Sequence, residues 1–444
     1  MLLKTIAKKE KAIIIIDSDC DGFTSSALLL NYLYDLFPDW IENYVDYFLH
    51  DGKKHGLQDC VDKILESNYS LILIPDAGSN DVEECKKIKE KDVNIGIIVL
   101  DHHICDVYNP YACVINNQLS DYPNKELSGV GVTWQFCRYI DSLLNKRYAE
   151  EYIDLVALGN MADMMSMTSI ETKHLINKGL QNPKNPFIVY MHDKNRFSLG
   201  DTLTPMGVAF YIAPFINAIV RSGTLEEKEI VFNSMLKFLA FNEIPSTKRG
   251  HKLNETEKVV EQAIRIATNV KARQTKAQDA GMAKIEQMIE DQNLLSHKVL
   301  LFLLEPDEID RNIAGLIANK IMAKYQRPVC ILTEVIEENC YTYQGSARGC
   351  DKVGVTNFKD ICAATGVCMY CSGHEGAFGL GIKQSDIDAF IEKTDEALKD
   401  MSDEAIYYVD YIYKNNQINP TNILDIANLE NLWGKDMDEP FIAV

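Results

Sequence analysis

At 444 residues, with 46% hydrophobic and 25% charged residues and a formal net charge of −20, the chain has the composition of a soluble globular protein and is too long for one ordinary core. No run reaches the ~18 apolar residues of a membrane span. No cleavable leader is evident, and twelve cysteines without dense spacing argue against a secreted disulfide scaffold, so a reducing cytoplasm is expected. The acidity argues against loose, non-specific attraction to a nucleic-acid backbone but leaves room for a nuclease, because metal-binding acids add to the same count.

Ile13 to Ile16 read as a fully buried strand that runs straight into Asp17-Ser18-Asp19-Cys20-Asp21-Gly22. Apolar spacing at Ala27, Leu28, Leu30 and Leu33 predicts a helix over Thr24 to Phe37, ended by Pro38-Asp39. A strand at Val45 to Leu49 leads into the turn-rich His50 to Gly56, including Lys53. The apolar run Leu71 to Ile74 then meets Pro75-Asp76-Ala77-Gly78. A helix over Val82 to Glu90 precedes the strand Ile95 to Leu100, which ends in Asp101-His102-His103. A further helix is expected across Tyr152 to Asp163, and Glu255 to Gln292, poor in glycine and rich in Ala, Glu, Lys, Ile and Val, should be largely helical. Alternation of strand and helix predicts an α/β fold with a doubly wound parallel sheet.

Three apolar strands thus stop at acids or histidines, and such ends share one edge of a parallel sheet. Asp17, Asp19 and Asp21 would crowd there with Asp76 and the Asp101-His102-His103 triplet. Asp163, in a methionine-rich setting, is a fourth candidate. Crowded carboxylates raise one another's pKa values, and a divalent cation relieves them. Taken singly, each acid also reads as a helix cap or turn residue. Cys362, Cys368, Cys371 and His374 include a Cys-x-x-Cys, which reads either as a zinc site or, with no second such pair, as buried or free thiols. No phosphate-binding Gly-rich loop and no serine nucleophile elbow is present.

The Asp-x-Asp-x-Asp-Gly run, the Asp76-x-Gly turn, Asp101-His102-His103 and Gly159-x-x-Ala162-Asp163 stand in the order of the four motifs of the DHH phosphoesterase superfamily, which the chain resembles. Ala213 to Arg221, with Asn217-Ala218, is similar to a segment of the RecJ-like single-strand exonucleases. Asn312 to Ile321, Gly345-Ser346-Ala347-Arg348 and Ser372-Gly373-His374 resemble their DHH-associated second domain. The likeness covers roughly residues 10 to 385. It departs from the superfamily where many members carry a metal-binding histidine just before the first Asp, since Ala12 to Ile16 stand there. Only 70 residues follow His374, and their acids, Asp400, Asp403, Glu404, Asp436, Asp438 and Glu439 among them, make a poor clamp for DNA.

The resemblance implies a DHH catalytic domain over 1–225, a helical connector over 226–293, a smaller α/β DHH-associated domain over 294–390 and an acidic extension over 391–444. It assigns Asp17, Asp19, Asp76, His102 and Asp163 to two divalent ions, Mn²⁺ ahead of Mg²⁺, with Asp76 bridging. His103 then contacts the phosphate or moves a proton, Asp101 orients the histidines, and Asp21 caps its helix. Asn217, Arg221, Ser346, Arg348 and His374 hold the substrate; Lys248, Arg249, Lys252, Lys271, Arg273 and Lys276 near the connector read either as further phosphate contacts or as a solvated helix face with paired charges. The implied activity is 5′-to-3′ degradation of single-stranded DNA. A phosphodiesterase of short oligonucleotides or cyclic dinucleotides, and a non-catalytic scaffold among repair or replication proteins, are the alternatives.

Overall fold

The computed structural model describes residues 1–52, 54–105, 107–119, 121–337, 340–402, 404–414 and 419–443. Lys53 and Asp403 lie outside them. Two compact units emerge, one of residues 1–271 with 413–440, the other of 272–412 with 441–443. The division falls inside the helix Val259–Asp291.

The first unit is built on five parallel strands, β1 (Ala12–Ile16), β2 (Val45–Leu49), β3 (Leu71–Pro75), β4 (Gly96–Asp101) and β5 (Cys113–Asn116), in the order β2-β1-β3-β4-β5. Helices cover both faces: Ile14 and Ile16 join one apolar core and Ile13 and Ile15 another. A strand buried on both sides must be apolar at every position, which explains the unbroken isoleucine run. The chain steps from β1 outward to β2 and then back across to β3, so the topological switch point lies between the ends of β1 and β3.

The structure departs from the sequence reading at three places. The helix after β1 spans Cys20–Leu36, beginning ahead of Gly22, because Asp19 accepts a hydrogen bond from Gly22 N at 2.9 Å and caps it. Pro38 opens a second helix, Pro38–Tyr44, at its first position, where a missing N–H costs nothing. The edge strand β5 had no periodic signal; it is four residues long and mostly exposed.

The second unit carries a mixed sheet ordered Cys368–Gly373, Ala377–Lys383, Cys340–Arg348, Val329–Glu337 and Leu300–Leu304. Its pairs are antiparallel except the last, which the helix Arg311–Tyr325 connects. No described helix is long and apolar enough to cross a membrane.

Candidate metal centre

The backbone at the switch point aims its acids inward. Asp17 follows β1 and Asp76 follows β3, while Asp101 is the last residue of β4. Asp76 adopts φ +69°, a left-handed conformation uncommon outside glycine, and its N–H bonds Leu100 O at 2.7 Å. Gly129 faces it so closely that a Cβ there would lie 2.2 Å from Asp76 Oδ1. Gly159 is likewise pressed on Asp21, with a built Cβ 2.3 Å from its Oδ1. Neither position can hold a side chain without displacing an acid.

Three groups of ligand atoms, each within 4.8 Å of one another, result: Asp17, Asp19 and Asp76; Asp21, His102 and Asp163; and Asp76, His102 and His103. His102 Nε2 stands 3.2 Å from Asp76, 3.4 Å from Asp163 and 3.9 Å from Asp21. Both oxygens of Asp76 and the Nε2 of His102 are buried and have no hydrogen-bond partner among the described residues. Such groups are costly to bury alone. A divalent cation fits them, since oxygen and imidazole donors are what Mn²⁺ and Mg²⁺ accept.

The electrostatics agree. Burial, reinforced by Asp21 and Asp19, pushes Asp76 well above the usual carboxylate range. Asp163 is pushed up to about 8 by burial and by the same two acids, and burial also raises Asp17 and Asp21. Burial lowers His102, which favours the neutral imidazole a metal needs. Asp101 behaves differently. Burial works to raise it, but bonds from His103 and Ser79 prevail and hold it below its ordinary value. Its Oδ1 accepts from His102 N at 2.7 Å, His103 N at 3.1 Å and His103 Nδ1 at 2.8 Å, and its Oδ2 accepts from Ser79 N at 3.0 Å. His103, bonded to Asp101, is pushed up to about 9.

Asp21 does not cap its own helix, as the sequence suggested. Its carboxylate accepts from Ser128 Oγ at 3.0 Å, Gly129 N at 2.6 Å and Val130 N at 3.2 Å, closing the start of the helix Gly129–Leu144, more than a hundred residues away. It also joins His102 and Asp163, a membership that its every-second-residue spacing from Asp17 and Asp19 had signalled. His55 was missed too. Its Nδ1 lies 2.8 Å from Asp17 Oδ2, and Gly56 N donates to Asp17 Oδ1 at 3.0 Å. A histidine after β2 thus reaches the first Asp, where Ala12 to Ile16 offered none.

Arg221 and Asn217 share a face of the helix Ala213–Ser222, four residues apart. Burial lowers Arg221, while the nearby charge of Asp19 opposes that effect. Within the second unit, Arg348 pairs across the sheet with Ala377, and His374 N donates to Ala377 O at 3.1 Å, so both stand at one end of that sheet. Ser346, two residues before Arg348, shares its face. Gly315 leaves room for the Arg348 guanidinium, 2.5 Å from where a Cβ would be. Lys248 is engaged by Glu257 at 3.3 Å. Among the described residues, no three of Cys362, Cys368, Cys371 and His374 form a group as tight as the acid clusters; a hydrogen bond with Cys330 and then burial raise the Cys362 thiol, and burial raises Cys368 and Cys371.

The N-terminal domain of the DHH family matches residues 11–160. The chain is 34% identical over 445 residues to a Bacillus subtilis prophage protein provisionally named a single-strand DNA-specific exonuclease, YorK, covering all of this chain and 75% of that one. It is 25% identical over 418 residues to the single-stranded-DNA-specific exonuclease RecJ of Bacillus subtilis, covering 92% of this chain and 48% of RecJ. The fold matches RecJ of Thermus thermophilus in complex with Mn²⁺, with a TM-score of 0.74 at 20% identity over 99% of this chain. The chain spans 60% of that protein's length.

Proposed function

The chain belongs to the DHH family of RecJ-like single-strand DNA-specific exonucleases, and from that premise we propose that it is a metal-dependent phosphodiester hydrolase that shortens single-stranded DNA from the 5′ end to mononucleotides. The observation that carries the proposal is the buried, unpartnered Asp76 carboxylate facing the unpartnered Nε2 of His102. Two divalent ions, Mn²⁺ ahead of Mg²⁺, would be held by Asp17, Asp19 and Asp76 and by Asp21, His102 and Asp163, and Asp76 also groups with His102 and His103. Bound there, they supply the Lewis-acid charge that activates water and neutralises the phosphoryl oxygens.

The chain's own residues do the rest. Asp101 fixes His103 through Nδ1, which leaves Nε2 as the atom that holds a proton toward a phosphoryl or leaving oxygen. Bonds from His55 and Gly56 keep Asp17 in one orientation. Arg221 and Asn217 in the first unit, and Ser346, Arg348 and His374 in the second, hold substrate phosphates, the arginines through their fork of donors. The net charge of −20 favours a second reading, a phosphodiesterase of short oligonucleotides, because a long polyanion would be repelled along its length.

The test is the product pattern in Mn²⁺ from single strands labelled at either end, beside a dinucleotide. Immediate release of a labelled mononucleotide from the 5′ label, with a ladder from the 3′ label, is expected. The reverse pattern overturns the polarity, hydrolysis of the dinucleotide alone establishes the second reading, and no hydrolysis of either sinks the assignment.

A further inference from the structure

The acidic carboxy-terminal stretch does not simply trail away. Residues 413–440 belong to the catalytic unit, and within them Gly434 to Met437 form a tight turn. Gly434 N bonds Met437 O at 3.0 Å, Met437 N bonds Gly434 O at 3.1 Å, and Asp436 takes φ +60° between them. The turn is seated on the segment that follows Asp163. Lys435 O accepts from Met167 N at 2.9 Å, and Gly434 is buried so closely on Met167 that a Cβ would lie 2.6 Å from its Cγ. Met437 packs against the main core. The segment beneath is itself held: Asp163 N bonds Gly159 O at 2.9 Å, Met165 N bonds Asn160 O at 3.0 Å, and Ser166 N bonds Glu126 at 3.2 Å. The backbone of Lys435 is therefore fixed relative to a candidate metal ligand.

The side chain of Lys435 is exposed, and its ammonium has no hydrogen-bond or ion-pair partner among the described residues. Its charge nevertheless acts on Asp163. In a chain with twenty excess negative charges, an exposed cation whose backbone is seated on the segment that follows Asp163 has an evident use. A polyanion approaching those acids needs local compensation, and a compact ammonium serves as a point contact for a phosphate oxygen.

We infer that the Gly434–Met437 turn forms part of the substrate site and that Lys435 contacts a backbone phosphate of the single strand beside Asp163. The inference rests on the hydrolase reading above. The alternative is that Lys435 only steadies the half-buried Asp163.

Binding of a fluorescein-labelled oligothymidylate is followed by anisotropy across a KCl series, with Ca²⁺ in place of Mn²⁺. Lys435→Gln should weaken binding about fivefold at 0.1 M salt and flatten the log–log salt slope by about 0.7, the share of one phosphate contact on a single strand. In Mn²⁺ the same variant should raise KM by a like factor with kcat within about twofold, and Lys435→Arg should restore both. A wild-type salt slope and KM in Lys435→Gln overturn the inference. Weaker Mn²⁺ binding by calorimetry with an unchanged slope also overturns it, by assigning Lys435 to Asp163. Failure of the unaltered protein to bind or cleave the strand would instead count against the hydrolase reading itself.

Discussion

The two units treat their polar groups in opposite ways. Among the described residues, every buried side-chain polar atom without a partner belongs to the first unit, and Asp76 and His102 supply three of them at the switch point of the parallel sheet. In the second unit the residues offered for substrate sit at a sheet end, with His374 exposed and the Arg348 guanidinium bonded to Ala347 O at 2.7 Å. The first arrangement is unstable by itself, since like charges are gathered out of water and wait for a cation. The second is comfortable without a ligand. Unmet polar demand among the described residues is therefore concentrated in the first unit.

The sharpest way to break this contrast is Asp76→Ala. Removing the acid common to two ligand groups should lower Mn²⁺-dependent hydrolysis by about a thousand-fold or more, the several kcal/mol that metal-assisted charge stabilisation supplies. The variant should remain folded, so circular dichroism is recorded beside the rate. Retained activity would remove Asp76 from the centre.

Asp76→Asn in chelator asks whether the site is indeed strained without metal. The amide removes an acid that burial and the neighbouring charges of Asp21 and Asp19 penalise. Metal-free Tm at pH 8 should rise by about 4 °C, corresponding to about 2 kcal/mol in a unit of this size. A fall in Tm would mean that the acids are satisfied by other means.

The part of this centre visible in the sequence was the part made by local rules. Apolar runs that stop at Asp17, Asp76 and Asp101 mark strand ends, and parallel strands must bring such ends to one edge. What stayed hidden depends on pairing across long separations. Asp21 looked like a cap because local spacing says so, yet its donors come from residues 128–130. His55 lay in a turn with nothing in its neighbours to tie it to Asp17. The glycines at 129 and 159 had no turn to explain them; each is small because an acid occupies the space. The acids at the carboxy terminus suggested an acidic extension that makes a poor clamp for DNA, whereas the apolar Met437 and the small Gly434 among them seat part of it on the first unit.

Arg348→Ala probes the comfortable unit. Loss of one forked phosphate contact should raise KM about tenfold with little change in kcat, because the interaction is made equally with ground and transition states. Tm should not move by more than about 1 °C, as for a half-exposed surface substitution. An unchanged KM would deny Arg348 a binding role, and a large fall in kcat would give the second unit a share in the chemistry.

The smallest effect concerns Asp81, which lies beside the His55–Leu57 loop and accepts from Leu57 N at 2.8 Å. Burial raises it from an ordinary 3.8 to about 6, more than the bond from Leu57 lowers it. A carboxyl raised in the folded state binds its proton more tightly there than when unfolded. Its favourable contribution is therefore complete below about pH 4 and is lost as pH rises through 6. Asp81→Asn keeps an acceptor for Leu57 and removes the titration. The variant should be more stable than the parent by about 1 kcal/mol at pH 8, less than full conversion of the shift because Asp81 retains some solvent contact. The two proteins should converge by pH 4. A constant difference across that range, measured by urea unfolding in chelator, would show that the hydrogen bond rather than the charge governs this position, and that strain in the first unit is confined to the metal centre.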